Sequence, residues 1–421
     1  MLSETDATHR AIEAVWRHES AKIVARVTRL IGDLSVAEDL AQDALLAALE
    51  QWPQSGVPDN PGAWLTTIAK RRAVDLLRRR TLSQQKNEQV AQEIEVDRPD
   101  STARFDDALD DPIGDDLLRL IFMCCHPVLA TEARVALTLR LLGGLSTEEI
   151  ARAFLVPVPT VAQRIVRAKR TLSNARVPFE LPPRDELASR LGSVLEVIYL
   201  IFNEGYSATE GEHWTRPALC SEAIRLGGIL AELEPDEHEV LGLLALMQIH
   251  ASRLKARVDA TGHPILLLDQ DRARWDKKLI DQGLHALARA QATGPGGAYT
   301  LQAAIAACHA RAPSAEQTDW PEIASWYDLL YQVKPTPIVA LNRAVAIGMA
   351  RGAAAGLEAI DQVAAEPVLV NYHILPSVRA DFLAKLGRTA EARAELERAV
   401  ALAGNQAERE LLLRRLANLA N

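Results

Sequence analysis

The chain has few cysteines and no apolar run long enough to cross a membrane. Four cysteines among 421 residues do not make the framework of a small disulfide-bonded secreted domain. The best membrane-spanning candidate, Val194 to Phe202, is short and contains Glu196. The first ten residues, MLSETDATHR, lack the basic and then apolar pattern of a signal peptide. These absences predict a cytoplasmic, reduced protein with no membrane partner.

Aromatic residues are also scarce, at 5% of the chain. Alanine and leucine dominate and β-branched runs are short, which favours helices throughout. A length of 421 residues predicts two or three domains. No G-x-S-x-G, Walker A or H-E-x-x-H motif occurs. We therefore expect an all-α protein that is not an enzyme and carries no cofactor.

The net charge of −9 is unevenly distributed along the chain. Residues 1–80 are balanced, with 11 basic and 11 acidic residues, whereas residues 81–118 have 3 against 11. Residues 119–179 have 9 against 3, or +6, and residues 180–421 have 24 against 31, or −7. One basic segment in an acidic chain indicates a local phosphate-binding surface.

The pattern divides the chain into four blocks. Residues 10–80 read as three helices, with a capping box at Ser35 and Glu38 and a loop over 52–62. Residues 81–112 are acidic, have few large apolar side chains and are predicted to be a flexible linker. Residues 113–176 form a compact helical block, and residues 185–421 are helical to the end.

The C-terminal block contains an internal sequence repeat. Gly352 and Gly387 lie 35 positions apart, and each sits between a helical pattern and a second helix rich in small residues. That spacing is close to the tetratricopeptide period of about 34 residues. The block is therefore predicted to be a degenerate tetratricopeptide-like array.

The most specific local pattern is LSTEEIARAFLVPVPTVAQRIVRAKRTL, residues 145–172. Ser146 and Glu149 make a capping box, and a proline turn then starts a second helix at about Thr160. Val161, Ile165 and Ala168 should face inward. The segment is predicted to be a helix-turn-helix whose second helix turns its basic and amide side chains outward. These outward residues are Gln163, Arg164, Arg167, Lys169 and Arg170.

Two segments, AEDLAQDALLAALEQWP (37–53) and NPGAWLTTIAKRRAVDLLRRR (60–80), resemble the sigma-2 domain of extracytoplasmic-function sigma factors. The helix-turn-helix resembles their sigma-4 domain. FNEGYSA (202–208), LLLDQDRARWD (266–276) and ALNRAVA (340–346) resemble motifs of the subgroup with a long tetratricopeptide-like C-terminal extension. With these motifs the resemblance covers nearly the whole chain.

The resemblance implies partners and roles. The stripe of Asp39, Gln42 and Asp43 would dock on the β′ clamp helices of core RNA polymerase. The protein would also contact the β subunit of the polymerase. The other implied partner is promoter DNA, read as single strand at the minus-ten element and as duplex at the minus-thirty-five element. The minus-ten residues would be Asp59, Asn60, Trp64, Lys70, Arg71, Arg78 and Arg79. The minus-thirty-five residues would be Thr160, Gln163, Arg164, Arg167, Lys169 and Arg170.

One departure limits the transfer of promoter sequence. The family's recognition helix usually reads T-V-K-S-R, whereas this chain has Thr160, Val161, Ala162, Gln163 and Arg164. The missing lysine removes a phosphate contact, and Gln163 can change the base preference.

Several residues have a structural interpretation beside a functional one. Cys124, Cys125 and His126 are interpreted as buried core residues, with a metal or redox-sensing site as the alternative. Trp52 and Trp64 are assigned to core packing ahead of base stacking. Asp269, Asp271, Arg272 and Trp275 are interpreted as an ion-paired loop, with a small-molecule or acid–base cluster as the alternative. Asn203, Glu204 and Tyr206 are interpreted as structural hydrogen-bonding residues, with partner binding or signal sensing as the alternative. Together with Asn342 and Arg343 they make up the candidate regulatory residues, which a regulatory protein or ligand would contact.

Two other functions remain open at this stage. One is a helix-turn-helix regulator with a protein-binding helical-repeat domain that never binds core polymerase. The other is a helical ligand-sensing scaffold whose DNA-binding parts are vestigial. Binding of purified β and β′ subunits discriminates the first from a sigma factor, and a promoter-dependent transcript discriminates the second.

Overall fold

The computed structural model describes residues 4–89, 113–154, 156–206, 216–259, 264–294, 296–404 and 406–419. Within these residues the secondary structure is helical, and one isolated bridge joins Val258 to Pro264. The predicted all-α class is confirmed. Chain contacts divide the molecule into two compact units, Met1–Ile198 and Tyr199–Asn421.

Unit 1 begins with three helices that pack on one another, α1 (Glu4–Ile31), α2 (Leu34–Ser55) and α3 (Pro61–Gln89). Their core combines large apolar side chains with many buried alanines, and the alanines allow the helix axes to approach closely. On α2 the alanines at 37, 41, 44 and 48 are fully buried, and Trp52 closes the end of this core.

Three local predictions in this region are wrong. Asp33, not Ser35, caps α2 by accepting hydrogen bonds from the Ser35 and Val36 N–H groups. Pro53 lies inside α2, so the loop is shorter than 52–62 and begins at Gly56. Helix α3 continues to Gln89, so the first nine residues of the expected linker are helical. The rest of the linker lies outside the described residues.

The remaining helices of unit 1 are shorter. They are α4 (Ile113–Cys124), α5 (Thr131–Leu141), α6 (Thr147–Phe154), α7 (Val158–Asn174) and the first part of α8 (Arg184–Tyr206). Helix α4 packs against α1, where the buried carboxylate of Asp116 pairs with Arg29 at 3.4 Å and with Arg119 at 2.8 Å.

Unit 2 is an array of helices, most of them joined by short turns, with a longer connection containing three short 3-10 helices between Ala251 and Lys277. The α-helices are α9 (Pro217–Leu233), α10 (His238–Ala251), α11 (Lys277–Thr293), α12 (Ala298–Arg311), α13 (Trp320–Val333), α14 (Pro337–Arg351), α15 (Ala353–Val363), α16 (Pro367–Val370), α17 (Ile374–Lys385), α18 (Thr389–Leu402) and α19 (Gln406–Asn418). The expected glycine turns are confirmed. Gly352 joins α14 to α15 with φ 99°, and Gly387 joins α17 to α18 with φ 75°.

Small residues set the spacing of these last helices. A Cβ atom on Gly348 would lie 2.2 Å from the Phe382 ring, and one on Gly356 would lie 2.8 Å from it. The glycines of α14 and α15 therefore make room for the buried phenylalanine of α17, as the small-residue pattern predicted.

Candidate polymerase and nucleic-acid interface

The short loop before α3 borders a cavity of about 730 Å³ between α1 and the start of α3. Asn60 caps α3, because its side-chain oxygen accepts from the Ala63 N–H at 3.0 Å. Asp59 and Asn60 are exposed. The remaining lining combines small apolar residues with a set of polar and charged side chains. It includes Glu19, Lys22, Arg26, Thr66, Thr67 and Lys70.

Trp64 lies one turn into α3 and is half-buried, with its ring in edge contact with Trp52 at 5.4 Å between centroids. Trp52 is buried, which confirms its assignment to the core. Trp64 packs on it while keeping part of its surface exposed. The structure brings Trp64 and Asn60 to the same helix end, as the sequence predicted.

Downstream of Trp64, α3 carries a row of basic side chains. Arg71, Arg78 and Arg79 are exposed, whereas Lys70 is half-buried. Burial, with added repulsion from Arg26, lowers the pKa of Lys70. The exposed arginines provide a cationic surface beside the cavity.

The predicted polar stripe of α2 faces outward in part. Asp39 is exposed, and Asp43 forms a 2.9 Å ion pair with Arg72 of α3. Gln42 donates to Glu38 at 3.1 Å. Glu38 is buried. Asp39 is therefore the exposed member of the stripe, whereas Gln42 and Asp43 are half-exposed.

The helix-turn-helix prediction is confirmed in its local geometry. Ser146 Oγ accepts from the Glu149 N–H at 3.1 Å, and Glu149 accepts from the Ser146 N–H at 2.8 Å, so the capping box forms at the start of α6. Val161, Ile165 and Ala168 of α7 are buried. Helix α7 begins at Val158, two residues before the predicted start.

Three side chains of α7, Gln163, Arg167 and Arg170, are exposed, and Arg164 and Thr160 are half-exposed. The prediction that Lys169 faces outward is wrong. Its ammonium pairs with the buried carboxylate of Glu38 in α2, which also accepts from Arg140 Nε at 3.2 Å. The phosphate-binding role proposed for Lys169 is therefore not available in this arrangement.

Cys124 and Cys125 lie at the end of α4 and are buried, as expected. Burial raises the pKa of both thiols, that of Cys125 to about 11, so they are protonated and poor metal ligands. His126 Nδ1 accepts from the Val128 N–H at 3.1 Å. No cluster of three or more potential metal-ligating residues occurs among the residues that were described.

The candidate regulatory residues of unit 2 fall into separate places. Glu204 pairs with Arg216, and Tyr206 stacks on Phe202 with centroids 5.6 Å apart. Asn342 is exposed on α14, where its neighbour Arg343 pairs with Asp328. Burial raises the pKa of the Tyr199 phenol, and a hydrogen bond with Asn203 offsets part of that increase.

The loop containing Asp269, Asp271 and Arg272 is not held by ion pairs among these residues. Arg272 donates to the carbonyls of His309 and Ala312, and its guanidinium lies 4.8 Å from the buried Trp275 ring. Asp271 caps a short turn by accepting from the Ala273 N–H at 2.9 Å, and Asp269 is exposed.

Sequence reasoning missed the residues that join Tyr206 to Trp275. Arg257 lies 3.6 Å from the Tyr206 ring centroid, and Arg253 lies 5.8 Å from that of Trp275. Both arginines are buried. Their position after the apolar helix α10, in QIHASRLKARV, was the available signal, since lone arginines beside a buried helix need partners.

Comparison with known proteins assigns three regions. The Sigma-70 region 2 family matches residues 15–82, and the Sigma-70 region 4 family matches residues 119–172. A family of unknown function, DUF6596, matches residues 190–291. Within the described residues no helix is both long and apolar enough to cross a membrane.

The chain is 41% identical to the uncharacterized protein R00370 of Rhizobium meliloti, over 93% of this chain and 92% of that protein. It is 25% identical to a probable ECF RNA polymerase sigma factor, SigI, of Mycobacterium tuberculosis, over 56% of this chain and 89% of the relative. It is 27% identical to the RNA polymerase sigma-H factor of Pseudomonas aeruginosa, over 40% of this chain and 88% of that protein. The chain belongs to the extracytoplasmic-function sigma factors, DNA-binding proteins of transcription initiation, and carries a long helical C-terminal extension.

Proposed function

We propose that this protein binds core RNA polymerase and directs it to a specific promoter, with its activity modulated by the C-terminal helical region. The carrying observation is that unit 1 exposes two distinct sets of basic side chains, on α3 and on α7. Two such sets suit a protein that holds separated single strand and closed duplex in turn. The proposal implies that the protein acts in the cytoplasm, together with the chromosome and RNA polymerase.

The α3 set suits the minus-ten element. A cavity of about 730 Å³ has Asn60 at its mouth and threonine and charged side chains around it. Such a cavity can take one unpaired base, whose Watson–Crick edge is free for hydrogen bonds. Arg71, Arg78 and Arg79 would neutralise the phosphates beside it.

The α7 set suits the minus-thirty-five element. A recognition helix reads base edges in the major groove with arginine and amide side chains near its N-terminal half. Gln163 and Arg167 lie one turn apart and are exposed, with Arg164 beside them. Arg170 lies farther along and suits phosphate contact.

Modulation by the C-terminal region is supported by charge. Residues 180–421 carry a formal charge of −7, and residues 119–179 carry +6. An acidic region can mask a basic DNA-binding surface, or it can support assembly with polymerase. A chain ending after Ile198 tests modulation in run-off transcription: altered output supports it, and unchanged output from the cognate promoter contradicts it.

The test of the main proposal combines binding and transcription. The full chain should retain purified β and β′ subunits in a pull-down and give promoter-dependent run-off transcripts with core enzyme. Asp39→Arg should weaken retention about tenfold, while Glu180→Arg, another exposed acidic position in unit 1, should not. Duplex binding without retention of polymerase would instead indicate a conventional helix-turn-helix regulator.

A further inference from the structure

Unit 2 contains a cavity of about 320 Å³ whose lining combines cationic and apolar side chains. The cationic residues are Arg253, Arg257 and Arg415. The apolar residues come from separate segments of the unit. They are Ile265, Leu266, Leu267, Ile374, Leu411 and Leu412. A volume of this size is at the lower end of the range for small-molecule sites.

Two buried polar side chains in this cavity lack part of their hydrogen bonding. Arg253 is 7% exposed, and its Nε has no partner among the described residues. Gln270 is 8% exposed, and its Oε1 likewise lacks a partner there, although its amide nitrogen donates to the Ile265 carbonyl at 3.1 Å. Buried groups of this kind are normally satisfied, so both atoms are available to hydrogen-bond a bound molecule.

The other charged groups at the cavity have partners of their own. His373 Nε2 lies 3.3 Å from Glu408 Oε2. Arg415 donates to the Ser377 hydroxyl at 2.8 Å and pairs with Asp381. Glu408 is the carboxylate that lines the cavity, and it lies against His373.

Two buried guanidiniums, those of Arg253 and Arg257, lie beside this cavity. Burial, and in addition the charge of Arg253, lowers the pKa of Arg257, while the phenol of Tyr206 raises it. Desolvation, with repulsion from Arg253 and Arg257, holds the pKa of the adjacent His250 well below its ordinary value, so it adds no charge. The Tyr206 ring, 5.9 Å from the Arg253 guanidinium, stabilises this cation in part, and an anion would stabilise it further.

We propose that this cavity binds a small organic carboxylate with an apolar body. The carboxylate would accept from the guanidinium of Arg253, since that donor group matches it in geometry. The apolar body would lie against the leucines and isoleucines of the lining. Gln270 Oε1 would accept from a hydroxyl or N–H on the same molecule. Binding is a property of unit 2 and does not require polymerase or DNA.

The test uses the full chain and three carboxylate probes, octanoate, 2-hydroxyoctanoate and phenylacetate, followed by calorimetry and thermal unfolding. At least one probe should bind and raise the unfolding temperature. Octanol and inorganic phosphate, which each lack one half of the proposed chemistry, should bind at least tenfold more weakly. Absence of binding by all three carboxylates, or equal binding of octanol or phosphate, would overturn the proposal.

Matched variants locate the site. Leu266 and Leu268 are 41% and 42% exposed, but only Leu266 lines the cavity. Leu266→Glu should weaken the best probe at least tenfold, because it adds a negative charge to the wall, and Leu268→Glu should leave binding within twofold. Equal effects of the two substitutions would contradict the assignment.

Arg253→Gln should also weaken that probe at least tenfold. Its control is Arg343→Gln, which removes another arginine of unit 2 that lies near an aromatic ring, at 5.9 Å from Tyr331. Circular dichroism of the free variants checks folding. If Arg253→Gln does not fold, the pair Leu266→Glu and Leu268→Glu decides the matter alone.

Discussion

The carboxylate of Glu38 in α2 pairs with the ammonium of Lys169 in α7. Glu38 is 6% exposed and also accepts from Arg140 of α5. One buried carboxylate therefore pairs with two basic side chains. The helix that carries the candidate polymerase stripe is thereby joined to the helix that carries the candidate duplex-reading face. Any rearrangement that separates these helices must break this contact.

Glu38→Gln should destabilise unit 1. Removing one partner of a buried ion pair costs about 3–5 kcal/mol, and the partial exposure of Arg140 and Lys169 reduces this to about 2 kcal/mol. Urea denaturation followed by circular dichroism measures the change. Asp39→Asn, at the exposed neighbouring position, should change the free energy of unfolding by less than about 0.5 kcal/mol. Equal effects would show that the pair contributes nothing.

The two sets of exposed side chains on α7 lead to different expectations for duplex binding. Arg167 is exposed, and under the proposed function it reads a base edge. Arg167→Gln should then relax sequence preference at one base pair, by about 1–3 kcal/mol. Arg170→Gln should weaken all sequences alike and reduce the salt slope by about one. Fluorescence anisotropy with matched and mismatched duplexes at several salt concentrations separates these outcomes. A uniform loss for both variants would remove Arg167 from base reading.

The local features of the helix-turn-helix could be predicted because their causes are local. Ser146 and Glu149 lie three residues apart, so the capping box is written in the sequence, and the inward positions of α7 follow helical periodicity. Glu38 could not be placed in the same way. Its partners are 102 and 131 residues distant, and its spacing from Ser35 suggested a cap instead. The cavity near Arg253 was missed for the same reason, since its walls come from distant segments.

Asn60 permits a test of strand capture that preserves the fold. Asn60→Asp keeps an oxygen acceptor for the Ala63 N–H, so α3 should remain capped and thermal stability should change little. The substitution removes the amide donor and adds a negative charge beside the cavity, which should weaken capture of an unpaired base at least tenfold. Fluorescence of 2-aminopurine in the minus-ten region reports melting. Asp33→Asn, which changes the cap of α2, is the control and should melt the promoter normally.

The boundary of unit 1 determines where the chain can be shortened. Residues just before Ile198 contact both α4 and α5. Arg190 donates to the Phe122 carbonyl at 3.2 Å, Ser193 donates to the Cys125 carbonyl at 2.9 Å, and the Ser193 hydroxyl accepts from Arg134 of α5. A chain ending after Ile198 should unfold cooperatively in a thermal melt. A chain ending after residue 178 should lose cooperativity or aggregate, because buried Leu191, Val194 and Leu195 are also removed. Identical melts would show that this segment does not stabilise unit 1.

The imidazole of His309 should make unit 2 sensitive to acid. Burial, with repulsion from Arg253 and Arg272, lowers its pKa from 6.5 to about 4. The unfolded chain therefore binds the proton first, and stability that is present above pH 6.5 is lost as pH falls toward 4. The loss has an upper limit of about 3 kcal/mol.

His309→Phe tests this directly, because it keeps a ring against Trp320, now 5.2 Å from the imidazole, and removes the titrating group. Urea midpoints at pH 7, 6 and 5 should fall less steeply in this variant than in the unmodified chain. Carboxylates that titrate in the same range cancel in the difference between the two proteins. His285→Phe, at an exposed position of α11, should retain the full slope. If both variants retain it, the acid sensitivity arises elsewhere, and His250, whose pKa is also lowered by desolvation, is then the next group to replace.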